Sequence, residues 1–172
     1  VKSEQNSINT GKNRIFESAE QLLKEKGLRI QAQDRLRPWG GFLVIEESQS
    51  ALFIDSFFPH LTANHFSGFT KLSPKLLLVA PGKRLSWQYH HRRSEIWKVL
   101  QGSVGVVTSN NDSPGPVRTL QEGDVINLSE GERHRLVGLE RWSILAEIWQ
   151  HTDPDNPSDE NDIVRVEDDF GR

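Results

Sequence analysis

Three oxygen- and nitrogen-bearing side chains, Gln88, His90 and Glu95, lie within eight residues in the segment Gly82-Lys-Arg-Leu-Ser-Trp-Gln-Tyr-His-His-Arg-Arg-Ser-Glu-Ile-Trp-Lys-Val-Leu-Gln-Gly102. On an extended chain, residues two apart share a side, so Gln88 and His90 project together while Tyr89 and His91 face away. A polar turn at 91–94 lets Glu95 open the next antiparallel strand and bring a carboxylate back towards that pair. His134 begins a later strand, after the turn Ser-Glu-Gly-Glu-Arg. The chain has no cysteine, so any metal must be held by nitrogen and oxygen. Imidazole, carboxylate and amide oxygen together suit a divalent ion such as Zn, Fe, Mn, Co or Ni. Packing gives no reason for this spacing of His90, Glu95 and His134, whereas Gln88 alone would read as an ordinary strand glutamine.

The elements that must position these donors are short. Phe42–Glu46, Leu76–Ala80, Arg84–His90, Glu95–Gln101, Ser103–Ser109, Val117–Leu120, Asp124–Leu128, His134–Gly138 and Trp142–Trp149 read as strands, separated by Pro81-Gly82, Gln101-Gly102, 110–115, Glu122-Gly123 and Glu130-Gly131. About eight strands at such spacing point to an all-β double-sheet barrel whose mouth encloses a cavity. Between Arg14 and Lys26, Ile15, Phe16, Ala19, Leu22 and Leu23 recur at helical spacing and Gly27 stops the pattern, which predicts one N-terminal helix packed on the barrel. Residues 1–13 read as a polar, loosely attached tail. The stretch from His151 to Asp162 reads as a surface loop, and IVRVEDDFGR as a final strand or edge segment. The expected organisation is a tail and packing helix over 1–35 and a barrel over 36–172.

At 172 residues the chain suits one domain with a sizeable core. Its 21 basic and 24 acidic residues leave a formal charge of -3, which offers no general attraction for nucleic acid or an anionic membrane. No apolar run reaches membrane-spanning length, and the polar start VKSEQNSINTGKNR lacks the apolar stretch of a secretory signal, so a cytoplasmic location is expected. Methionine is absent, and native residues are expected to precede Val1.

The donor segment resembles the first cupin motif, G-x5-H-x-H-x(3,4)-E-x6-G, with Gly82, Gln88, His90, Glu95 and Gly102 in register. The second motif, G-x5-P-x-G-x2-H-x3-N, resembles the run from Gly123 to Gly138, with Ser129 in place of the proline, Gly131 and His134 retained, and Gly138 in place of the asparagine. A narrower resemblance covers residues 36–172: Arg37-Pro-Trp-Gly40, the run from Pro81 to Trp97, His134-Arg-Leu136 and the ending from Asp162 to Arg172 are similar to the C-terminal half of type II mannose-6-phosphate isomerases. In that family glutamine occupies the first ligand position. Arg92 departs from the family's third consecutive histidine. The segment from Ala51 to Ser73 is longer than expected and could cover the barrel mouth, and the guanylyltransferase half of the fused enzymes is absent from this sequence.

The resemblance implies a cupin double-stranded β-helix and a metal held by Gln88, His90, Glu95 and His134, with zinc the first expectation. It implies aldose–ketose isomerisation of mannose 6-phosphate to fructose 6-phosphate, or of a close relative, through a cis-enediol. Arg165, Glu167, Asp168 and Arg172 match a block characteristic of the family and are the expected catalytic group. Glu167, Asp168, His91 or a metal-bound water are the candidate bases, and a nearby arginine is expected to stabilise the enediolate or the phosphate. The expected partner is a small sugar phosphate, and a homodimer is the expected assembly. The competing readings are a non-catalytic cupin that binds a sugar or sugar phosphate, and a metal-dependent oxygenase, against which Gln88 argues because an amide oxygen is a weak donor. Arg84, Arg92 and Arg93 form a basic cluster available to a phosphate. His60, His65 and His151 match no motif and read as surface or loop residues. Trp39 reads as a residue that shapes the site.

Overall fold

The computed structural model describes residues 2–172, with side chains from Thr10 onward apart from residue 63. Helix α1 spans Lys2–Glu25, twelve residues earlier than the apolar spacing places its start, so the predicted loose tail is helical from its second residue. Val1 lies outside the described residues. The end falls where expected: Gly27 takes φ 71°, its N–H donates to Lys24 O at 3.0 Å, and Leu28 N–H donates to Leu23 O at 2.9 Å. These two bonds satisfy carbonyls the helix would otherwise leave open.

The described strands are β1 Ile30–Asp34, β2 Gly40–Ile45, β3 Lys75–Val79, β4 Trp87–Tyr89, β5 Arg93–Gln101, β6 Val104–Ser109, β7 Arg118–Leu120, β8 Val125–Leu128, β9 Arg133–Gly138, β10 Ser143–His151 and β11 Val164–Glu167. They form two antiparallel sheets, ordered β1-β2-β3-β10-β5-β8 and β11-β4-β9-β6-β7. The predicted strand from Arg84 shortens to three residues, with Arg84 making only an isolated bridge to Val137. Strand β1 and a second helix, α2 at Ser50–Phe57, went unread in the sequence. Both run against simple patterns: β1 is an edge with three exposed residues, and α2 is shorter than the window of about 11–18 residues over which helical spacing stands out.

Alternation along β3, β5 and β10 divides the core. Leu76, Leu78, Ile96, Ile144, Ala146 and Ile148 face outward and are covered by Phe16, Ala19 and Leu23 of α1 and by Phe53 and Phe57 of α2. Leu77, Val79, Val99 and Leu145 face inward and meet Val104, Val106, Leu128 and Leu136 between the sheets. The segment 51–73 thus lies against the outer sheet face, and none of its described side chains lines the cavity between the sheets, contrary to the expected mouth cover. Gly40 explains the Arg37-Pro-Trp-Gly40 block: it has φ 143°, and a Cβ there would stand 1.9 Å from Leu78 O.

Candidate metal centre

Short β4 and the start of β5 bring the first donors together. Gln88 stands opposite His134 across the β4–β9 pair, and Glu95 opposite Trp149 across β5–β10. His90, Glu95 and His134 are each about 2% exposed, with ligand atoms all within 4.8 Å of one another. His90 Nε2 lies 3.3 Å from His134 Nε2 and 3.1 Å from Glu95 Oε1, and His134 Nε2 lies 3.6 Å from Glu95 Oε2. Donors about 2.1 Å from a tetrahedral ion are separated by about 3.4 Å, so the gaps from His134 Nε2 to His90 Nε2 and to Glu95 Oε2 fit one shared cation.

The tautomers follow from the partners. His90 Nδ1 faces Asp162 O at 3.3 Å and His134 Nδ1 faces Glu132 O at 3.0 Å. A carbonyl only accepts, so each ring carries its proton on Nδ1 and turns an Nε2 lone pair to the centre. Two lone pairs 3.3 Å apart cannot bond to each other. Beside them, Glu95 Oε2 is buried without a hydrogen-bond partner. Three converging acceptors, one of them unsatisfied, are what a divalent cation requires, so the residues fit such an ion. Burial lowers the His134 pKa to about 4, which keeps the ring neutral and able to ligate. Burial alone would raise the Glu95 carboxyl; the Arg93 guanidinium beside it overcomes this and holds the group well below the usual carboxylate range.

Arg93, a member of the basic cluster with Arg84 and Arg92, is in this centre. It is 2% exposed, donates from Nε to Glu95 Oε1 at 2.8 Å, and places Nη2 3.1 Å from His90 Nε2. Its guanidinium lies 3.5 Å from the Trp149 ring centroid, and Nη1 donates to Ser158 Oγ at 2.9 Å. Glu95 therefore divides its oxygens, Oε1 to Arg93 and Oε2 to the centre. The other two arginines of that cluster point elsewhere: Arg92 pairs with Asp159 and Asp162, and Arg84 with Glu167 and Asp169.

The loop from His151 to Asp162 is tied to the donors. Asp162 is 2% exposed; its carboxylate accepts from His91 N, Arg92 N and Ser158 Oγ, while its carbonyl faces His90. His151 is buried, contrary to its reading as a surface residue: Ser158 N–H donates to Nδ1 at 2.9 Å, and Ser73 Oγ lies 2.8 Å from Nε2.

A cavity opens beside the donors, walled by Gln88, Arg93, Glu95, Trp97, Trp149, Lys75, Glu147 and the buried Trp39, and, at a more solvent-exposed rim, by Arg37, Glu160, Arg165 and Arg172. Gln88 shares this cavity with Glu95, and its amide oxygen accepts from Ser86 Oγ. Trp39 lines it, as its block suggested. Arg165 presents a buried Nε without a hydrogen-bond partner, and Asp168 grips Arg172 through two side-chain bonds of 3.0 and 2.8 Å. The bonds from Arg172 draw the Asp168 pKa down to about 2. Glu167 stands apart, lining an outer depression with Arg84 and Arg135. Tyr89 and His91 meet edge to face, with the Tyr89 ring also under Arg133. The sequence signals Lys75 and Glu147 only by a lone charge just before LLLV and another inside SILAEIW.

Residues 65–168, more than half of the chain, match the family model described as mannose-6-phosphate isomerase C-terminal. The chain is 33% identical over 99 residues to the mannose-1-phosphate guanylyltransferase ManC of Salmonella typhimurium, covering 57% of this chain and 19% of that protein. It is 28% identical over 137 residues to the xanthan biosynthesis protein XanB of Xanthomonas campestris pv. campestris, covering 79% and 23%. The chain thus spans less than a quarter of these curated relatives. Among solved structures, the capsular polysaccharide assembling protein CapF of Staphylococcus aureus superposes with TM-score 0.52 at 14% identity, covering 81% of this chain and 34% of that one. An oxalate decarboxylase gives TM-score 0.52 at 16% identity, covering 78% and 30%. These likenesses identify the fold as the all-β cupin jelly roll, which in this chain carries α2 as well as the expected N-terminal helix.

Proposed function

Because this chain belongs to the mannose-6-phosphate isomerase C-terminal family, we propose that it is a metal-dependent sugar-phosphate isomerase, interconverting mannose 6-phosphate and fructose 6-phosphate or a close relative. The reading is carried by one juxtaposition: a buried His-His-carboxylate set beside a cavity whose rim is rich in arginine. A sugar phosphate has the matching parts, adjacent carbonyl and hydroxyl oxygens at one end and a dianion at the other.

His90, Glu95 and His134 would hold the ion, zinc being the first candidate, with Gln88 beside them as a fourth donor through its amide oxygen. Such an ion supplies Lewis-acid polarisation of the sugar's carbonyl. The protein's own residues do the rest. Arg165, whose buried Nε lacks a partner, and Arg172, held by Asp168, suit the phosphate, for which planar guanidinium donors are the usual choice. Arg37 on the same rim adds a third positive charge. Trp39, Trp97 and Trp149 give the sugar an apolar wall that excludes water. Glu167 faces the outer depression and Asp168 stays ionised and bound to Arg172, so neither serves as the base in this reading.

The test is to load the protein with zinc or manganese and assay mannose 6-phosphate and fructose 6-phosphate interconversion, alongside His134→Ala and Gln88→Ala. Activity in the parent that is lost in His134→Ala supports the proposal. Bound metal without turnover of any hexose phosphate would replace it with a binding-module role.

A further inference from the structure

Two ionisable side chains in the cavity wall belong neither to the donor set nor to the arginine rim. Lys75 of β3 and Glu147 of β10 stand opposite each other in antiparallel register, 8% and 5% exposed. Lys75 Nζ lies 3.9 Å from Glu147 Oε2 and 3.4 Å from the Trp149 ring centroid. Trp97 Nε1 donates to Glu147 Oε1 at 3.0 Å, and Trp97 is the cross-strand neighbour of Glu147. Glu147 therefore shares the cavity wall with Glu95, two residues from Trp97 on β5.

A buried ion pair raises stability only when its geometry is tight, and 3.9 Å is the outer limit of pairing. An inward leucine at either position would continue the apolar row of Leu77, Val79 and Leu145. The pair thus opposes the packing logic of its own strands and points into a cavity, the usual mark of a functional group. Burial, helped by the charge of Glu95, raises the Glu147 pKa to about 7 against the pull of Lys75 and Arg93, and burial lowers that of Lys75. The charged groups facing the pair are Arg93 and Glu95 from β5 and Glu160 from the turn at 160–162. A buried carboxylate in the cavity wall, with its proton affinity raised by its surroundings, suits reversible proton transfer.

We infer that Glu147 is the catalytic base of the isomerisation, carrying the proton between C1 and C2 of the sugar with Lys75 as its charge partner, an inference that rests on the isomerase reading above. From the aldose, the Glu147 carboxylate takes the proton on C2. The C2–H electron pair becomes the C1–C2 double bond and the carbonyl pair moves onto O1. Glu147 then returns its proton to C1, O2 becomes the carbonyl oxygen, and the hydroxyl proton passes from O2 to O1. No oxidant and no net proton are needed.

The experiment uses zinc-loaded protein in deuterium oxide with mannose 6-phosphate or fructose 6-phosphate. Proton NMR reads both interconversion and uptake of solvent deuterium at C1 and C2. Glu147→Gln should keep its metal content and KM while kcat and deuterium uptake fall by about 10²- to 10⁴-fold. Lys75→Met, which removes a positive neighbour, should move the acidic limb of the kcat–pH profile to higher pH. Should Glu147→Gln prove insoluble, Glu147→Asp decides: the carboxylate withdrawn by one methylene should cost kcat about tenfold or more with metal retained. A Gln or Asp variant that turns over at the parent rate overturns the role of Glu147 and leaves the isomerase reading in place. A parent protein that neither interconverts nor exchanges with any hexose phosphate overturns the isomerase reading, and this role with it.

Discussion

The two faces of the sheet β3-β10-β5 are built from alternating residues of the same strands, yet they carry opposite chemistry. The outer face is apolar, with Leu76, Leu78, Ile96, Ile144, Ala146 and Ile148 sealed beneath the two helices. The inner face changes along its length, from Leu77, Val79, Val99 and Leu145 at one end to Lys75, Arg93, Glu95, Glu147 and Trp149 at the other. One face holds the fold together and half of the other is given to charge, which a barrel this small tolerates because the helices add a second core outside it. The difference teaches that α1 and α2 act on stability and not on the cavity, so damage to the two faces should separate cleanly.

The largest effect should come from the outer face. Phe53 is fully buried under α2, and Phe53→Ala should cost about 3–5 kcal/mol of unfolding free energy, read from urea or thermal denaturation, with metal stoichiometry unchanged. Loss of metal in that variant at temperatures where it remains folded would break the comparison. On the inner face, His134→Ala should weaken zinc binding by more than about 100-fold, measured by competition with a chelator, because even supporting partners of a ligand can cost that much. Asp162→Ala tests the loop that holds the donors: it removes the carboxylate that fixes His91 N, Arg92 N and Ser158 Oγ, and zinc affinity should fall by about 10- to 100-fold. An unchanged affinity would show that β4 and β5 alone aim His90.

The smallest expected effect is at the rim. Arg172 holds the folded pKa of Asp168 at about 2, below the ordinary value of about 3.9. A depressed carboxyl contributes stability that is complete above the unfolded value and is lost as pH falls through the folded one. Unfolding free energy should therefore decline between about pH 4 and pH 2 in the parent protein, and Asp168→Asn should remove part of that slope while leaving stability at neutral pH lower and flatter. Identical acid profiles would mean that Arg172 is held by other contacts.

Much of the fold was legible because its rules are local. Two-residue alternation places Gln88 with His90, turn glycines mark strand ends, and Gly27 stops α1 by a backbone conformation open to it. The donors His90, Glu95 and His134 could be read from their types and spacing, and they meet. Arg93 could not be placed in the same way: alternation puts it on the side of Glu95, but nothing local distinguishes a solvated arginine from one buried between a carboxylate and an indole. His151 and Asp162 were equally opaque, since their burial depends on a loop folding back onto β4.

The sequence by itself determined the all-β class, the turns, the ligand types and a family resemblance, because each rests on residue chemistry or on periodicity within a few positions. Only the tertiary structure decided which charges share a cavity. Opposing Lys75 to Glu147, turning Glu167 outward and laying the 51–73 segment on the outer sheet face all depend on the pairing of strands distant in sequence, and long-range register is set by the collective burial of both faces.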